Sequence, residues 1–296
     1  PALPPLRGLH AGGTDMSWTL GQGVDFTLEH RERATKQDRS QLLEVARFFG
    51  SGKLLDNIAT ADVDRFVKHC RDKGNKNSTI KRKLNMLSAV YRDAMRRGGC
   101  SHKPFLPALR TAPGRTRYLT ADEERAMLAG LLQRGGQGVH DVVVTLLDTG
   151  MRKGEVLALR PCDCNLSTNM LEVWENKGDL PRSVPMTRRV AELVARRMHG
   201  PTLFHDVPAW KVGEAWRQVR DDLGLSDDRQ LVPHACRHTC ASRLVQRGAS
   251  LYAVQKVLGH SNISVTERYS HLNPEVLTNT IALLERDPNQ GGPAST

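Results

Sequence analysis

The sequence predicts a mainly α-helical protein with one small β-sheet, built as an all-α domain followed by a mixed α/β domain. Three observations carry this expectation. Apolar residues recur at helical spacing through most of the chain from about Gln37 onward. One segment, residues 98–117, interrupts that pattern with three prolines, three glycines and the basic residues Lys103, Arg110, Arg115 and Arg117. Only one pair of short extended runs, 170–174 and 182–186, departs from the helical period. At 296 residues the chain also exceeds the usual single-domain size, so two domains, each with its own core, are expected.

Taken in order, residues 1–23 are rich in Pro and Gly without an apolar period and read as a disordered lead-in. Residues 24–100 form the helical domain. Leu42, Leu43, Val45, Ala46 and Phe49 make one helix ending at Gly50, and Thr60 is expected to cap a second over 61–73. Ser78 is expected to cap a third over 79–97, with Ile80, Leu84, Leu87, Val90, Tyr91 and Ala94 inward. Residues 101–117 read as a flexible basic linker. The second domain, 118–286, opens on Thr120 and Glu123 as a capping box. An apolar helix over 139–149 stops at Gly150, so that Arg152 emerges at the turn before a short helix over 155–159. The two extended runs pair as a hairpin with Lys177 at its tip. Helices follow over 188–199, 210–223, 233–247, 251–258 and 274–286, the last with a stripe of Val276, Leu277, Thr280, Ile281 and Leu284. Residues 287–296 read as a disordered tail.

The formal charge of +11 is concentrated. Between Arg65 and Gly99 eleven basic residues face only Asp72 and Asp93, a surplus that favours a polyanion, and nucleic acid before a membrane surface. Lys76, Lys81, Arg82 and Lys83 in that stretch, with Arg115 and Arg117 in the linker, are the candidate DNA contacts, lying along the phosphate backbone. No run approaches the ~18 apolar residues of a spanning helix and no secretory core is evident, so a cytoplasmic protein is expected. Six cysteines then read as reduced thiols. His234, Cys236, His238 and Cys240 alternate along one helix, a poor arrangement for zinc because alternate residues point to different sides; Cys236 and Cys240 read as small core residues.

The chemistry concentrates in three motifs. Thr149-Gly150-Met151-Arg152-Lys153-Gly154-Glu155 and His234-Ala235-Cys236-Arg237-His238-Thr239 precede Gly259-His260, which lies nine residues before Tyr269. Arg, His-x-x-Arg, Gly-His and Tyr in this order resemble the tyrosine recombinases, the family of phage integrases and Xer-type resolvases. The resemblance is strong over 118–286 and looser before it. It implies a core-binding domain at 24–100 and a tyrosine-recombinase catalytic domain at 118–286. It also implies cleavage of one DNA strand at a time through a 3′-phosphotyrosine and a Holliday junction, by a protein monomeric when free and tetrameric on double-stranded DNA, with a directionality factor as a candidate further partner. Met16 is the first methionine, which leaves open whether translation starts there or an upstream arm-binding domain precedes it.

Such a reaction needs a nucleophile, charge stabilisation for the phosphorane and an acid for the leaving oxygen. Tyr269 is the nucleophile, its phenol near pKa 10 unless neighbouring cations favour the phenolate. Arg152 and Arg237 suit the phosphate, since a guanidinium donates paired hydrogen bonds and keeps its charge. His234 and Arg237, three apart on one helix, can reach the same phosphate. By resemblance His260 adds a donor, His234 accepts the tyrosine proton or holds it in a network, and Glu155 orients an active-site side chain. Lys177, five residues before Arg182, is the candidate acid at the hairpin tip, with Lys153 its rival. No cofactor and no metal are called for, as no acidic cluster has ligand spacing. Two other readings stand beside this one: a type IB topoisomerase-like relaxing enzyme, and a DNA-binding regulator that does not cut.

Overall fold

A computed structural model describes residues 17–31, 34–111, 116–174, 181–273 and 281. The chain divides into two compact units, residues 1–113 and 114–296.

The first unit is all-α: α1 (Leu20–Glu29), α2 (Lys36–Phe49), α3 (Thr60–Asp72) and α4 (Asn77–Arg96). The helix α1 begins inside the expected lead-in, where Thr19 and Gln22 form a capping box. Its glycines dilute the apolar signal, yet Leu20 and Val24 are buried with Leu42, Val45, Phe66, Leu87 and Val90 in one core. Tyr91, also buried, donates to the Leu55 carbonyl at 2.8 Å. Two expected caps move by a residue or two. The helix α3 starts at Thr60, with the Asp62 carboxylate accepting from Ala59 N at 3.1 Å. The Thr60 hydroxyl instead accepts from the Phe105 amide at 3.2 Å, and Ser78 falls inside α4.

The linker is only in part the loose strap expected. Residues 101–111 run extended, but Asp56 takes hydrogen bonds from the Ser101 amide and hydroxyl, both at 2.9 Å. Asn77 donates to the Arg110 carbonyl at 2.8 Å, and Leu106 and Leu109 pack on the first unit's core. This stretch is therefore bound to the first domain.

The second unit starts with the long helix α5 (Ala121–Thr149), whose capping box of Thr120 and Glu123 forms as expected and whose course breaks at Gly136. Then come α6 (Lys153–Ala158), β1 (Cys164–Asn165), β2 (Met170–Val173) and β3 (Arg182–Pro185). The strands make an antiparallel sheet in the order β1-β2-β3, with Leu171 opposite Val184 in its buried layer. Helices α7 (Arg188–Arg196), α8 (Ala209–Asp222), α9 (Ala235–Gln246) and α10 (Leu251–Leu258) follow, and 3-10 turns over Ile263–Val265 and Glu267–Leu272 complete the described part. Its core runs from Leu119 through α5 and the sheet to Trp216 and Cys236, and Trp216 donates to the Leu231 carbonyl at 2.8 Å. The chain is thus mainly α with a small sheet, as the sequence implied. The hairpin tip at 175–180 and the apolar stripe of the expected last helix, Ile281 apart, lie outside the described residues. Among the described residues no helix is long and apolar enough to cross a membrane.

Candidate active site

Two glycine stops bring the motif residues together. Gly150 ends α5 with φ 64 and Gly259 ends α10 with φ 70, the left-handed region where a side chain is strained. At Gly259 space forbids one as well, because a Cβ would lie 2.8 Å from Cδ of Arg182. The turn after Gly150 leaves Arg152 extended just ahead of α6, and the turn after Gly259 delivers His260.

Arg237 joins the two stops. It is buried, at 3% exposure. It donates Nη1 to the Gly150 carbonyl and Nη2 to the Leu258 carbonyl, each at 2.7 Å. These carbonyls take two of the five guanidinium donors and fix the plane of the group. Burial, followed by the positive Arg152 and Arg182, brings its pKa down to about 10, so it stays cationic at neutral pH.

Glu155 organises the other arginines. Its carboxylate accepts from the Arg152 amide at 2.8 Å, from Arg152 Nη1 at 2.9 Å and from Arg182 Nη2 at 2.7 Å. Burial pushes this carboxyl upward, but the hydrogen bonds from Arg182 and from the Arg152 backbone prevail and hold it below the ordinary glutamate range. Glu155 thus ties Arg152 to Arg182. Arg182, which served in the sequence only to place Lys177, is the residue that sequence reasoning passed over. Its side chain is 8% exposed and lies between Glu155 and the end of α10, where Nε donates to the Val257 carbonyl at 3.3 Å. Arg152, by contrast, has a side chain 40% exposed and so can meet a ligand from solvent.

On the following turns, His260 Nδ1 lies 2.8 Å from the hydroxyl of the buried Thr266, and Gln255 holds the His260 carbonyl at 2.9 Å. Tyr269 is 1% exposed, its ring among Ala241, Val245, Val254 and Leu258. Its hydroxyl lies 2.6 Å from His238 Nδ1. Arg268 and Arg237 do favour the phenolate, but burial outweighs them in this conformation and raises the phenol to about 12.

His234 is not the residue at that hydroxyl. It stands exposed at the start of α9, its ring edge-on to that of His238 with centroids 4.9 Å apart. The protein around the ring, then Arg237, Arg152 and Arg268, hold it below the ordinary histidine range even though the residue is open to solvent. It does line one cavity with Arg237 and Lys153, as its spacing suggested. Lys153 turns its Nζ to the Ala209 carbonyl at 3.2 Å. Lys177 lies outside the described residues. Cys236 and Cys240 are buried in α9, as small core residues should be.

The candidate DNA contacts divide. Lys76, just before α4, and Lys81 within it are exposed. Arg82 pairs with Asp38 at 3.0 Å while staying partly open. Lys83 is corrected: at 3% exposure it donates to Glu44 at 2.8 Å inside the first domain, where no phosphate reaches it. Arg117 is corrected too, being held by Asp228 at 2.7 Å and by both oxygens of Glu123 at the entry to the second domain. Arg115 lies outside the described residues.

Arginines gathered around one buried carboxylate, with a tyrosine hydroxyl paired to a histidine nearby, are the groups that a phosphoryl transfer through a protein nucleophile would use. The comparisons with known proteins agree. Residues 117–275 match the model of the phage integrase family, and residues 30–98 match that of the phage integrase N-terminal SAM-like domain. The chain belongs to the phage integrase family of tyrosine recombinases. It is 32% identical over 255 residues to the tyrosine recombinase XerC of Chromohalobacter salexigens, covering 79% of this chain and 84% of that protein. To the integrase of Escherichia phage P2 it is 29% identical over 238 residues, 79% of this chain and 66% of that one. In fold it is similar to the Tn1549 transposon integrase in complex with transposon right-end DNA, with a TM-score of 0.73 at 22% identity over 90% of this chain and 100% of that one. It is likewise similar to a lambda integrase tetramer bound to a Holliday junction, with a TM-score of 0.69 at 20% identity over 86% and 78% of the two chains.

Proposed function

We propose that this chain is a site-specific DNA recombinase whose Tyr269 cuts one strand at a time, forming a 3′-phosphotyrosine and releasing a 5′-hydroxyl. A partner strand's 5′-hydroxyl then reverses the linkage, and two rounds pass through a Holliday junction within a tetramer assembled on double-stranded DNA. Free in solution the chain is a monomer, acting in the bacterial cytoplasm, with a directionality factor as a possible further partner. The observation that carries the reading is the joining of Arg152, Arg182, Arg237, Glu155, His260 and Tyr269 by the two glycine stops.

In this scheme Arg152 and Arg237 neutralise the non-bridging oxygens, and His260 donates from Nε2 once Thr266 fixes its ring. Glu155 and Arg182 hold Arg152 at the angle the phosphate requires. Lys177, which falls between β2 and β3 in the sequence, supplies the proton to the leaving 5′ oxygen. With charge and acid both coming from side chains, neither metal nor nucleotide is needed. The test is covalent trapping on a nicked suicide oligonucleotide carrying the element's own junction sequence. The wild type should form a protein–DNA adduct resistant to denaturation, and Tyr269→Phe should form none while binding the duplex with unchanged affinity. An adduct with Tyr269→Phe would move the nucleophile elsewhere, with Tyr252 the first residue to test.

A further inference from the structure

The reaction proposed above leaves one proton without a destination, that of the Tyr269 hydroxyl. We infer that His238 is a catalytic residue, the base that takes this proton into Nδ1 as the phenolic oxygen attacks phosphorus. The inference rests on the recombinase reading and assigns a role within it.

Position is the first argument. His238 Nδ1 lies 2.6 Å from the tyrosine oxygen, and the tyrosine is buried, at 1% exposure. His234 is one ring further out, 4.9 Å from His238 by centroids. The helix α9 explains the division of labour. Adjacent residues diverge by about 100° around a helix, so Arg237 faces the Gly150 and Leu258 carbonyls while His238 faces the turn Glu267–Leu272 that carries Tyr269.

Protonation state is the second. The groups bearing on His238 are His234 and Arg237 from α9 and Arg268 and Tyr269 from the turn. Burial first, then His234, Arg268 and Arg237, bring the imidazole down to about 4, so at neutral pH it is uncharged and can offer Nδ1 as an acceptor. Against a phenol raised to about 12, transfer in the DNA-free chain is strongly uphill. A bound phosphodiester changes both sides of that balance. Its negative charge offsets Arg237 and Arg268, raising the imidazole, and the growing O–P bond draws electrons from the phenolic oxygen, acidifying its proton. Transfer then accompanies attack. The O–H bond breaks as the O–P bond forms, the proton passes to His238, and the 5′ oxygen departs with a proton from the acid. Resealing returns the first proton to Tyr269.

The experiment combines a spectroscopic and a kinetic arm. In ¹⁵N-histidine spectra of the whole chain at neutral pH, His238 should be a neutral ring with its lone pair on Nδ1, and that signal should move in Tyr269→Phe. A hydrogen on Nδ1 would overturn the inference whether or not the chain cuts DNA, whereas absence of any wild-type adduct would instead sink the recombinase reading. In single-turnover cleavage of the suicide substrate, His238→Asn keeps a hydrogen-bonding group near Nδ1 but cannot accept a proton. It should cut at least about 100-fold more slowly at neutral pH, bind DNA normally, and recover as pH rises and hydroxide takes over the task. His238→Asn cutting at the wild-type rate, or slow at every pH alike, would show that the histidine only holds the hydroxyl.

Discussion

Replacing Glu155 by Gln should destabilise the catalytic domain at neutral pH and have no effect at acid pH. The carboxylate and its partner Arg182 are 5% and 8% exposed, so the variant leaves a buried guanidinium without its counter-charge, beside the equally buried Arg237. Breaking a buried pair in this way costs about 3–5 kcal/mol. Gln still offers one oxygen to a guanidinium, which places the loss near the lower end, about 3 kcal/mol. The pair with Arg152, whose side chain is 40% exposed, adds little. For a domain of this size each kcal/mol moves Tm by about 2–4 °C, so the drop should be about 6–12 °C. The pH dependence has a fixed sign. Glu155 has a folded pKa below its ordinary 4.5, so its contribution is present above 4.5 and is lost as pH falls through the lower folded value. Calorimetric scans of both proteins from pH 7 toward pH 3 should therefore show a gap that closes on acidification. A gap below about 2 °C at pH 7, or one of equal size at pH 3, would refute the ion-pair account of Glu155.

Four further outcomes are expected. Lys81→Ala should reduce the slope of log K against log salt for DNA binding by up to about 0.9, the value for one phosphate contact. Lys83→Ala should leave that slope alone while costing about 2 kcal/mol in denaturant titrations, since its partner Glu44 is only partly buried. Lys177→Ala should lose cleavage of ordinary DNA and regain it when the bridging 5′ oxygen is replaced by sulfur, which leaves without a proton; rescue of Lys153→Ala instead would pass the role to the rival. Gly259→Ala should lower both stability and adduct formation, because a side chain there meets a left-handed backbone at φ 70 and a Cβ 2.8 Å from Arg182, and the strain falls on the turn that delivers His260. Adduct formation at the wild-type rate would show that the turn tolerates the change.

Local chemistry made the scaffold legible. The glycine at 150, the capping box at Thr120 and the limits of α10 follow from residues within a turn of one another, so the sequence alone sufficed for them. Where a helix begins was less legible when the decisive partner is distant, as with Thr60, whose hydroxyl is taken by Phe105. Lys83 is a different case, for the stripe Ile80, Leu84, Leu87 already included it. It stands three residues after Ile80 and four before Leu87, on the buried face, and an assumption that charge points outward overrode the period.

The site divides along the same line. Which residues to propose could be read from the motifs, because arginine and histidine in Gly-stopped turns have few reasons to be there other than an anionic ligand. Which atom meets which was not. Arg182 owes its place to a strand that brings it across to Glu155, 27 residues away, and no spacing rule within either motif contains that contact. His234, just before α9, and His238 within it stand four apart on one face, and the sequence reading named only the first for the Tyr269 proton. What separates them is the height at which the turn Glu267–Leu272 crosses that face, set by packing of the Tyr269 ring against Ala241, Val245, Val254 and Leu258. Those four residues lie on the C-terminal side of His238 along the chain, and the tyrosine they hold meets the histidine nearer to them. An apolar cluster with no chemistry of its own thus selects the proton's acceptor.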